Sequence, residues 1–95
     1  MSIRISIVED QSDMRESLME WLGHAPDLTC VGAHASAEDA LRQIPKENPD
    51  VVLMDINLTG MNGIQCVSRL KELLPQTQVL MLTTYDDGDM IFDSL

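Results

Sequence analysis

The chain has 95 residues, enough for one domain, and 44% of them are hydrophobic, as in an ordinary globular protein. Sixteen acidic and six basic residues give it a formal net charge of −10. This charge argues against direct binding to nucleic acid or to an anionic membrane, and it favours a cation or a basic partner. The sequence has no signal peptide and no long apolar run, so we expect a cytoplasmic protein.

Four short apolar segments predict β-strands. They are residues 3–8, 28–33, 51–54 and 79–82. Each is followed by a segment whose apolar residues recur at helical spacing. Strands that alternate with helices imply right-handed crossovers and a parallel sheet covered on both faces. The sequence therefore predicts a doubly wound α/β domain.

Caps and prolines predict the helix boundaries. Ser12 is a candidate cap of the first helix, and Ser36, with an acid three residues later, resembles a capping box for the second. Pro45 is expected to close the second helix, and Asp86 or Asp87 to cap a last one. The predicted apolar faces are Met14, Leu18, Trp21 and Leu22; Ala37, Ala40, Leu41 and Ile44; Ile64, Val67, Leu70 and Leu74; and Met90, Ile91 and Leu95.

Acidic residues follow the first and third predicted strands directly. Glu9 and Asp10 end the first apolar run, and Asp55 ends the third. In the flavodoxin-like strand order these two strands are neighbours, so the three carboxylates converge on one edge of the sheet. Crowded like charges call for a cation, and oxygen-only ligands suit Mg²⁺. The sequence thus predicts a magnesium site.

Cysteine and histidine give weaker signals. Cys30 and Cys66 are too few for a disulfide framework and fit no zinc spacing, so we interpret them as small hydrophobic residues. His24 and His34 are isolated in the sequence, and a plain surface position is expected for each.

Four segments together resemble the receiver domains of bacterial two-component response regulators. They are residues 7–10 (IVED), 51–55 (VVLMD), 60–63 (GMNG) and 79–83 (VLMLT). The resemblance implies a flavodoxin-like sheet with strand order 2-1-3-4 over residues 1–95. The third and fourth strands look most like those of regulators that carry a LuxR-type DNA-binding output domain.

The resemblance also implies a role for each matching acid. Asp55 matches the phosphoacceptor, which takes a phosphoryl group from a phosphohistidine on a sensor histidine kinase. Asp10, Asp55 and the main-chain carbonyl of Asn57 match the Mg²⁺ ligands. Glu9 matches the other acidic position, which acts on the ion directly or through water.

Two further positions match residues that respond to the phosphoryl group. Thr83 matches the switch hydroxyl, which turns toward the phosphoryl group once it is present. Tyr85 and Asn57 match the positions that gate water. Such a domain is a phosphoacceptor rather than an enzyme, and it controls a transcription-regulating output.

The resemblance stops before the fifth strand of the family, which carries an invariant lysine and a switch aromatic. We therefore expect a receiver domain that is incomplete at its C-terminus, with a fifth strand and helix missing. We expect the chain still to bind Mg²⁺ weakly. We expect little or no stable phosphorylation, because the positive charge of that lysine beside the phosphoryl group is lost. The fourth strand becomes an unpaired apolar edge, which predicts self-association. Exchange of the terminal segment between two chains is one route to such a dimer.

Two alternatives remain open from the sequence. Residues 55–59 (DINLT) lie close to the D-x-D-x-T loop of haloacid-dehalogenase-type phosphatases, in which an aspartate is also phosphorylated. Asn57 replaces the acid/base aspartate of that motif. The other alternative is an interaction module that is never phosphorylated and signals by binding.

Overall fold

A twisted sheet with helices on both faces forms the structure, a computed structural model that describes residues 2–55, 58, 63–84 and 90–94. Its elements are β1 Ile3–Val8, α1 Ser12–Gly23, β2 Leu28–His34, α2 Ala37–Glu47, β3 Val51–Asp55, α3 Gly63–Leu73, β4 Gln78–Thr84 and β5 Met90–Ser94. The strand order is β2-β1-β3-β4-β5, and neighbouring strands from β2 to β4 are parallel. The predicted parallel order 2-1-3-4 is confirmed.

Alternation along the strands divides the core into two layers. On one face of the sheet, Val8, Val52, Met54, Val79 and Met81 pack against α2 and α3. The other face packs against α1. Its buried members are Ile5, Ile7, Leu18, Leu22, Leu53 and Leu82. Each fully buried aliphatic side chain contributes roughly 1.5–3 kcal/mol to folding, so these two layers hold the strand ends in place.

Cys66 is buried, as expected for a small hydrophobic residue, whereas Cys30 is half-buried. Met54 and Met81 are buried in the core, and Cys66 is buried on α3. Burial raises the pKa of the Cys66 thiol to about 11, and the charge of Glu38 adds to the increase. The thiol therefore stays protonated at neutral pH, and both cysteines are free. Cys66 behaves as a small hydrophobic residue.

The end of the chain corrects the prediction of a fourth helix. Met90–Ser94 is strand β5, which pairs antiparallel with β4, and Leu95 lies outside the described residues. A helix of fewer than ten residues is marginal, whereas Ile91 and Phe92 favour a strand. The outer edge of β4 offers unpaired backbone groups, and β5 satisfies them. The prediction of an unpaired β4 edge is therefore wrong.

The helix faces also differ in detail from the prediction. Gln11 is the N-cap residue of α1 and makes no side-chain cap, so Ser12 is simply the first helical residue. Trp21 and Ile64, both placed on apolar faces, are exposed. At α2 the Ser36 side chain accepts from the Asp39 amide at 3.1 Å, which confirms that cap.

Pro45 was predicted to end α2, and that prediction is wrong. It lies in the last turn, and the helix continues to Glu47. Asn48 then ends the helix in a left-handed conformation, with φ 48°. Asparagine tolerates this conformation better than most residues, because its short side chain bonds locally.

A polar cluster joins the end of α2 to the sheet. The His34 Nε2 atom lies 2.9 Å from Glu47 Oε2 and 3.0 Å from Glu47 Oε1. Ser6, fully buried on β1, donates to Glu47 Oε1 at 2.7 Å. His34 is therefore not the surface residue that was expected from the sequence. The cluster needs Gly32 beside it, because a Cβ atom there would overlap the Glu47 carboxylate.

We expect Gly32→Ala to lower the free energy of unfolding by about 1–3 kcal/mol, because the Glu47 carboxylate must leave the buried Ser6 hydroxyl and the half-buried His34 ring. Urea unfolding followed by circular dichroism measures the change. Gly23→Ala is the matched control, since no atom lies within 4 Å of a Cβ there. Equal stability of the Gly32→Ala variant and the parent would show that the cluster contributes nothing to folding.

Candidate functional site

Three carboxylates meet at the carboxyl edge of the sheet. Glu9 and Asp10 follow β1 directly, and Asp55 is the last residue of β3. Because β1 and β3 are parallel neighbours with Val8 opposite Met54, the next residues of the two strands come side by side. One carboxylate oxygen from each of the three residues lies within 4.8 Å of the other two. The convergence predicted from the strand order is confirmed.

Main-chain bonds fix the position of Glu9. Its amide donates to the His34 carbonyl at 2.9 Å, and its carbonyl accepts from Arg15 Nη1 at 2.9 Å. Its side-chain Oε2 accepts from the Gln11 amide at 3.1 Å. Arg15 was missed in the sequence, because no spacing rule links a helix residue to a main-chain oxygen six positions earlier. A bond to that carbonyl orients the residue while leaving its carboxylate available.

The three acids strongly affect one another. Glu9 is 2% exposed and Asp55 5%, and Asp10 is half-buried. Burial raises the pKa of Glu9 to about 8, and a hydrogen bond with Asp55 and its charge add to the increase. The amide of Gln11 partly offsets this rise in the pKa. In the absence of a cation, Glu9 therefore holds a proton at neutral pH and shares it with its neighbours.

This donor set suits a hard divalent cation. Its side-chain donors are all carboxylate oxygens, with no sulfur or imidazole, as Mg²⁺ prefers. Magnesium ligands stand at about 2.1 Å from the ion, so adjacent ligands of an octahedral site are about 3.0 Å apart and opposite ones about 4.2 Å. The three oxygens lie within 4.8 Å of one another, so a bound ion would draw them together by rotation of their side chains. A bound cation would also offset the repulsion among the carboxylates and so take the place of the proton on Glu9.

The other predicted site residues lie at or beyond the limits of the described chain. Thr83 is in β4, directly after Leu82, which pairs with Asp55. Its backbone therefore ends on the same edge of the sheet as the carboxylates. Asn57 and Tyr85 lie outside the described residues.

Comparison with known families identifies the class of this domain. The chain matches the family described as "Response regulator receiver domain" over residues 5–95. It belongs to the response regulator receiver domain family. The match covers the four parallel strands and the acidic cluster together, and it favours the receiver interpretation over the haloacid-dehalogenase alternative.

Similar proteins include receiver domains of several bacterial regulators. "Response regulator protein VraR" of Staphylococcus aureus is 30% identical over 95 residues, which are 100% of this chain and 46% of VraR. This receiver domain thus spans about half the length of the curated relatives it matches.

Solved structures agree with this assignment. A LuxR-family two-component response regulator from Aurantimonas superposes with a TM-score of 0.83 at 27% identity, over 90% of this chain and 61% of that one. The signal receiver domain of NarL from Mycobacterium tuberculosis gives a TM-score of 0.81 at 29% identity, over 90% and 68%. Among the described residues of this receiver domain, no helix is long and apolar enough to cross a membrane.

Proposed function

We propose that this receiver domain accepts a phosphoryl group on Asp55 from a phosphohistidine of a sensor histidine kinase. The observation that carries the proposal is the position of Asp55, at the tip of β3 within 4.8 Å of two further carboxylates. Membership in the receiver domain family supports phosphoryl transfer as the class of reaction. Chemically, one Asp55 oxygen forms a bond to phosphorus as the bond from phosphorus to the imidazole nitrogen breaks. The electron pair stays on the imidazole.

Glu9 and Asp10 act in this proposal as holders of Mg²⁺ beside Asp55, with Asn57 as a further ligand through its carbonyl. When bound, Mg²⁺ supplies positive charge that offsets the repulsion between the carboxylates and the phosphoryl oxygens. The residues themselves position the attacking oxygen. The Glu9 amide donates to the His34 carbonyl, and the Glu9 carbonyl accepts from Arg15. These two bonds fix the backbone of Glu9, so the acidic cluster is in position before the phosphoryl donor binds.

We further propose that Thr83 bonds the phosphoryl group and that Asn57 and Tyr85 limit the access of water to it. The location of Thr83, one residue beyond the partner of Asp55 in β4, supports the first part. We propose regulation of transcription as the output, and the similarity to a response regulator of the LuxR family supports this proposal. The proposal that Asp55 is the phosphoacceptor does not depend on these additional roles.

The test is phosphoryl transfer from a small acyl phosphate, with and without Mg²⁺, followed by borohydride reduction. Reduction converts an aspartyl phosphate to homoserine, so the product accumulates even when the acyl phosphate is short-lived. We expect homoserine at position 55 by peptide mass spectrometry, and only when Mg²⁺ is present. Homoserine at another acid, or at none, would contradict the proposal.

Self-association remains a prediction with a changed basis. β5 already pairs with the edge of β4, so an open edge no longer argues for it. Exchange of β5 between two copies would preserve the same hydrogen bonds, which keeps a swapped dimer possible. A net charge of −10 on each copy opposes association at low salt.

A further inference from the structure

A β-bulge divides the pairing of β1 with β2. The register of the two strands shifts between Ile5 and Ser6, which inserts Val31 as an extra residue of β2. Beyond the bulge the pairing continues in the new register, with Val8 opposite His34. A slip of one residue turns every side chain of a strand to the other face of the sheet. The register beyond the bulge therefore has to be fixed by specific contacts.

The acidic cluster depends on the register beyond this bulge. Glu9 follows Val8 directly, and its amide donates to the His34 carbonyl at 2.9 Å. If β2 slipped by one residue, that carbonyl would no longer face the Glu9 amide. Glu9 is buried, and one of its carboxylate oxygens lies within 4.8 Å of an oxygen of Asp10 and of Asp55. The pairing of β1 with β2 thus positions one of the three acids.

Glu47, the last residue of α2, bonds to both strands beyond the bulge. Its Oε1 accepts from Ser6 of β1 at 2.7 Å, and its Oε2 lies 2.9 Å from Nε2 of His34 in β2. The His34 and Glu47 side chains are only 9% and 17% exposed, so water competes little for these bonds. A slip of β2 by one residue would turn the imidazole away from α2. One carboxylate therefore joins β1 to β2 in the observed register.

We propose that Glu47 is a positioning residue for the acidic cluster, because it fixes the register that brings the Glu9 amide to the His34 carbonyl. Its carboxylate bonds to Ser6 and His34, so it acts through the backbone and not as a ligand of the ion. The inference rests on the proposed function, in which Mg²⁺ binds beside Asp55. It adds a residue of α2 to those that set the affinity of the site for that ion.

Magnesium affinity tests this proposal without any phosphoryl transfer. Titration with Mg²⁺ at constant pH, followed by the NMR signals of the Glu9 and Asp10 amides, gives the dissociation constant. We expect Glu47→Ala to raise it at least about tenfold, as the loss of an outer partner of a metal ligand does. Glu47→Gln keeps an acceptor for Ser6 and gains an amide that can donate to His34. It should raise the dissociation constant less than about threefold.

Two further variants separate positioning from a general loss of stability. Thr77→Val removes the buried bond from the Thr77 hydroxyl to the Pro49 carbonyl, at the opposite ends of β3 and β4 from Asp55. It should weaken folding but change the Mg²⁺ affinity less than about twofold. Gly32→Ala displaces the Glu47 carboxylate by crowding and leaves Glu47 itself in the chain. It should weaken Mg²⁺ binding as Glu47→Ala does.

Hydrogen exchange of the Glu9 amide in the ion-free protein is the second measurement. We expect Glu47→Ala to speed this exchange at least about tenfold relative to Thr77→Val, because the bond to the His34 carbonyl opens more often. This measurement needs neither Mg²⁺ nor phosphorylation. Its failure is therefore distinguishable from failure of the phosphoacceptor proposal, which the trapping experiment tests.

The proposal makes three results unacceptable. Equal Mg²⁺ affinity of Glu47→Ala and the parent would show that the cluster does not depend on Glu47. Equal losses of affinity in Glu47→Ala and Thr77→Val would make stability, rather than position, the cause. Exchange of the Glu9 amide in Glu47→Ala as slow as in the parent would show that β1 and β2 keep their register without this carboxylate.

Discussion

Asp55→Asn should abolish the homoserine product of phosphoryl trapping, with a loss of at least about 100-fold relative to the parent chain. Asparagine keeps the size and one oxygen of the side chain, but its amide is no nucleophile toward phosphorus. Asp55 is 5% exposed at the tip of β3, so the substitution removes the oxygen that faces the two other acids. Peptide mass spectrometry after borohydride reduction measures the change.

Asp50→Asn is the matched control for this experiment. Asp50 directly precedes the other end of the same strand, and its Oδ2 accepts from the Arg4 amide at 2.9 Å. Asparagine keeps that acceptor, and we expect trapping within about twofold of the parent. If Asp55→Asn retained the product, the phosphoacceptor proposal would fail. If both variants lost it, damage to β3 rather than loss of the nucleophile would be the cause.

The ion-free protein should lose stability as the pH rises from about 4.5 to about 8. Burial raises the pKa of Glu9 from 4.5 to about 8 in the folded chain, whereas the unfolded chain releases this proton near 4.5. Between these values the folded state binds more protons, so the free energy of unfolding falls with pH. One proton gives a slope of at most about 1.4 kcal/mol per pH unit. Urea unfolding in the presence of a chelator, at several pH values, measures it.

Glu9→Gln should flatten this slope. Glutamine is neutral at every pH, and it keeps the acceptor for the Gln11 amide. Saturating Mg²⁺ should flatten the slope of the parent as well, because the ion takes the place of the proton. Ligand at about 100 times its dissociation constant adds about 2.7 kcal/mol of stability. Parallel pH curves for the parent and Glu9→Gln would mean that Glu9 is already ionised in the ion-free fold.

The three acids of the site could be predicted from the sequence, because each lies at the end of a strand. An acid directly after an apolar run lies at the carboxyl edge of a parallel sheet, so Glu9, Asp10 and Asp55 could be placed together once β1 and β3 were taken as neighbours. The bond from Arg15 to the Glu9 carbonyl could not be predicted. It depends on the angle at which α1 crosses β1, and no local pattern contains that angle.

The position of His34 also could not be predicted from a local pattern. His34 is isolated in the sequence and looked like a surface residue, yet it forms a half-buried cluster with Glu47 and the buried Ser6. These residues come from β2, α2 and β1, separated by up to 41 positions along the chain. Only the packing of α2 across the sheet makes them neighbours, and only that packing explains why a side chain at Gly32 would displace the Glu47 carboxylate.

The sequence predicted correctly which residues lie at the centre of a buried helix face, but it predicted the residues at the margins of the face poorly. Leu18 and Leu22 are buried as the spacing required, but Trp21, one position before Leu22, turns away from the core and is 57% exposed. Periodicity gives the direction of a face and not its width. How far around a helix burial extends depends on which neighbour covers it, and this face of the sheet has α1 alone among the described helices.

Hydrophobic periodicity along the chain predicted the alternation of strands and helices, because each period is set within a single element. The flavodoxin-like order that the resemblance implied then placed β1 beside β3, and with them the three acids at one edge of the sheet. The three-dimensional packing was needed to show that Met90–Ser94 forms a strand, that the His34 side chain meets Glu47, and that Trp21 is exposed. The reason is physical: each depends on pairing or packing between segments far apart in the chain, and such contacts override local preference.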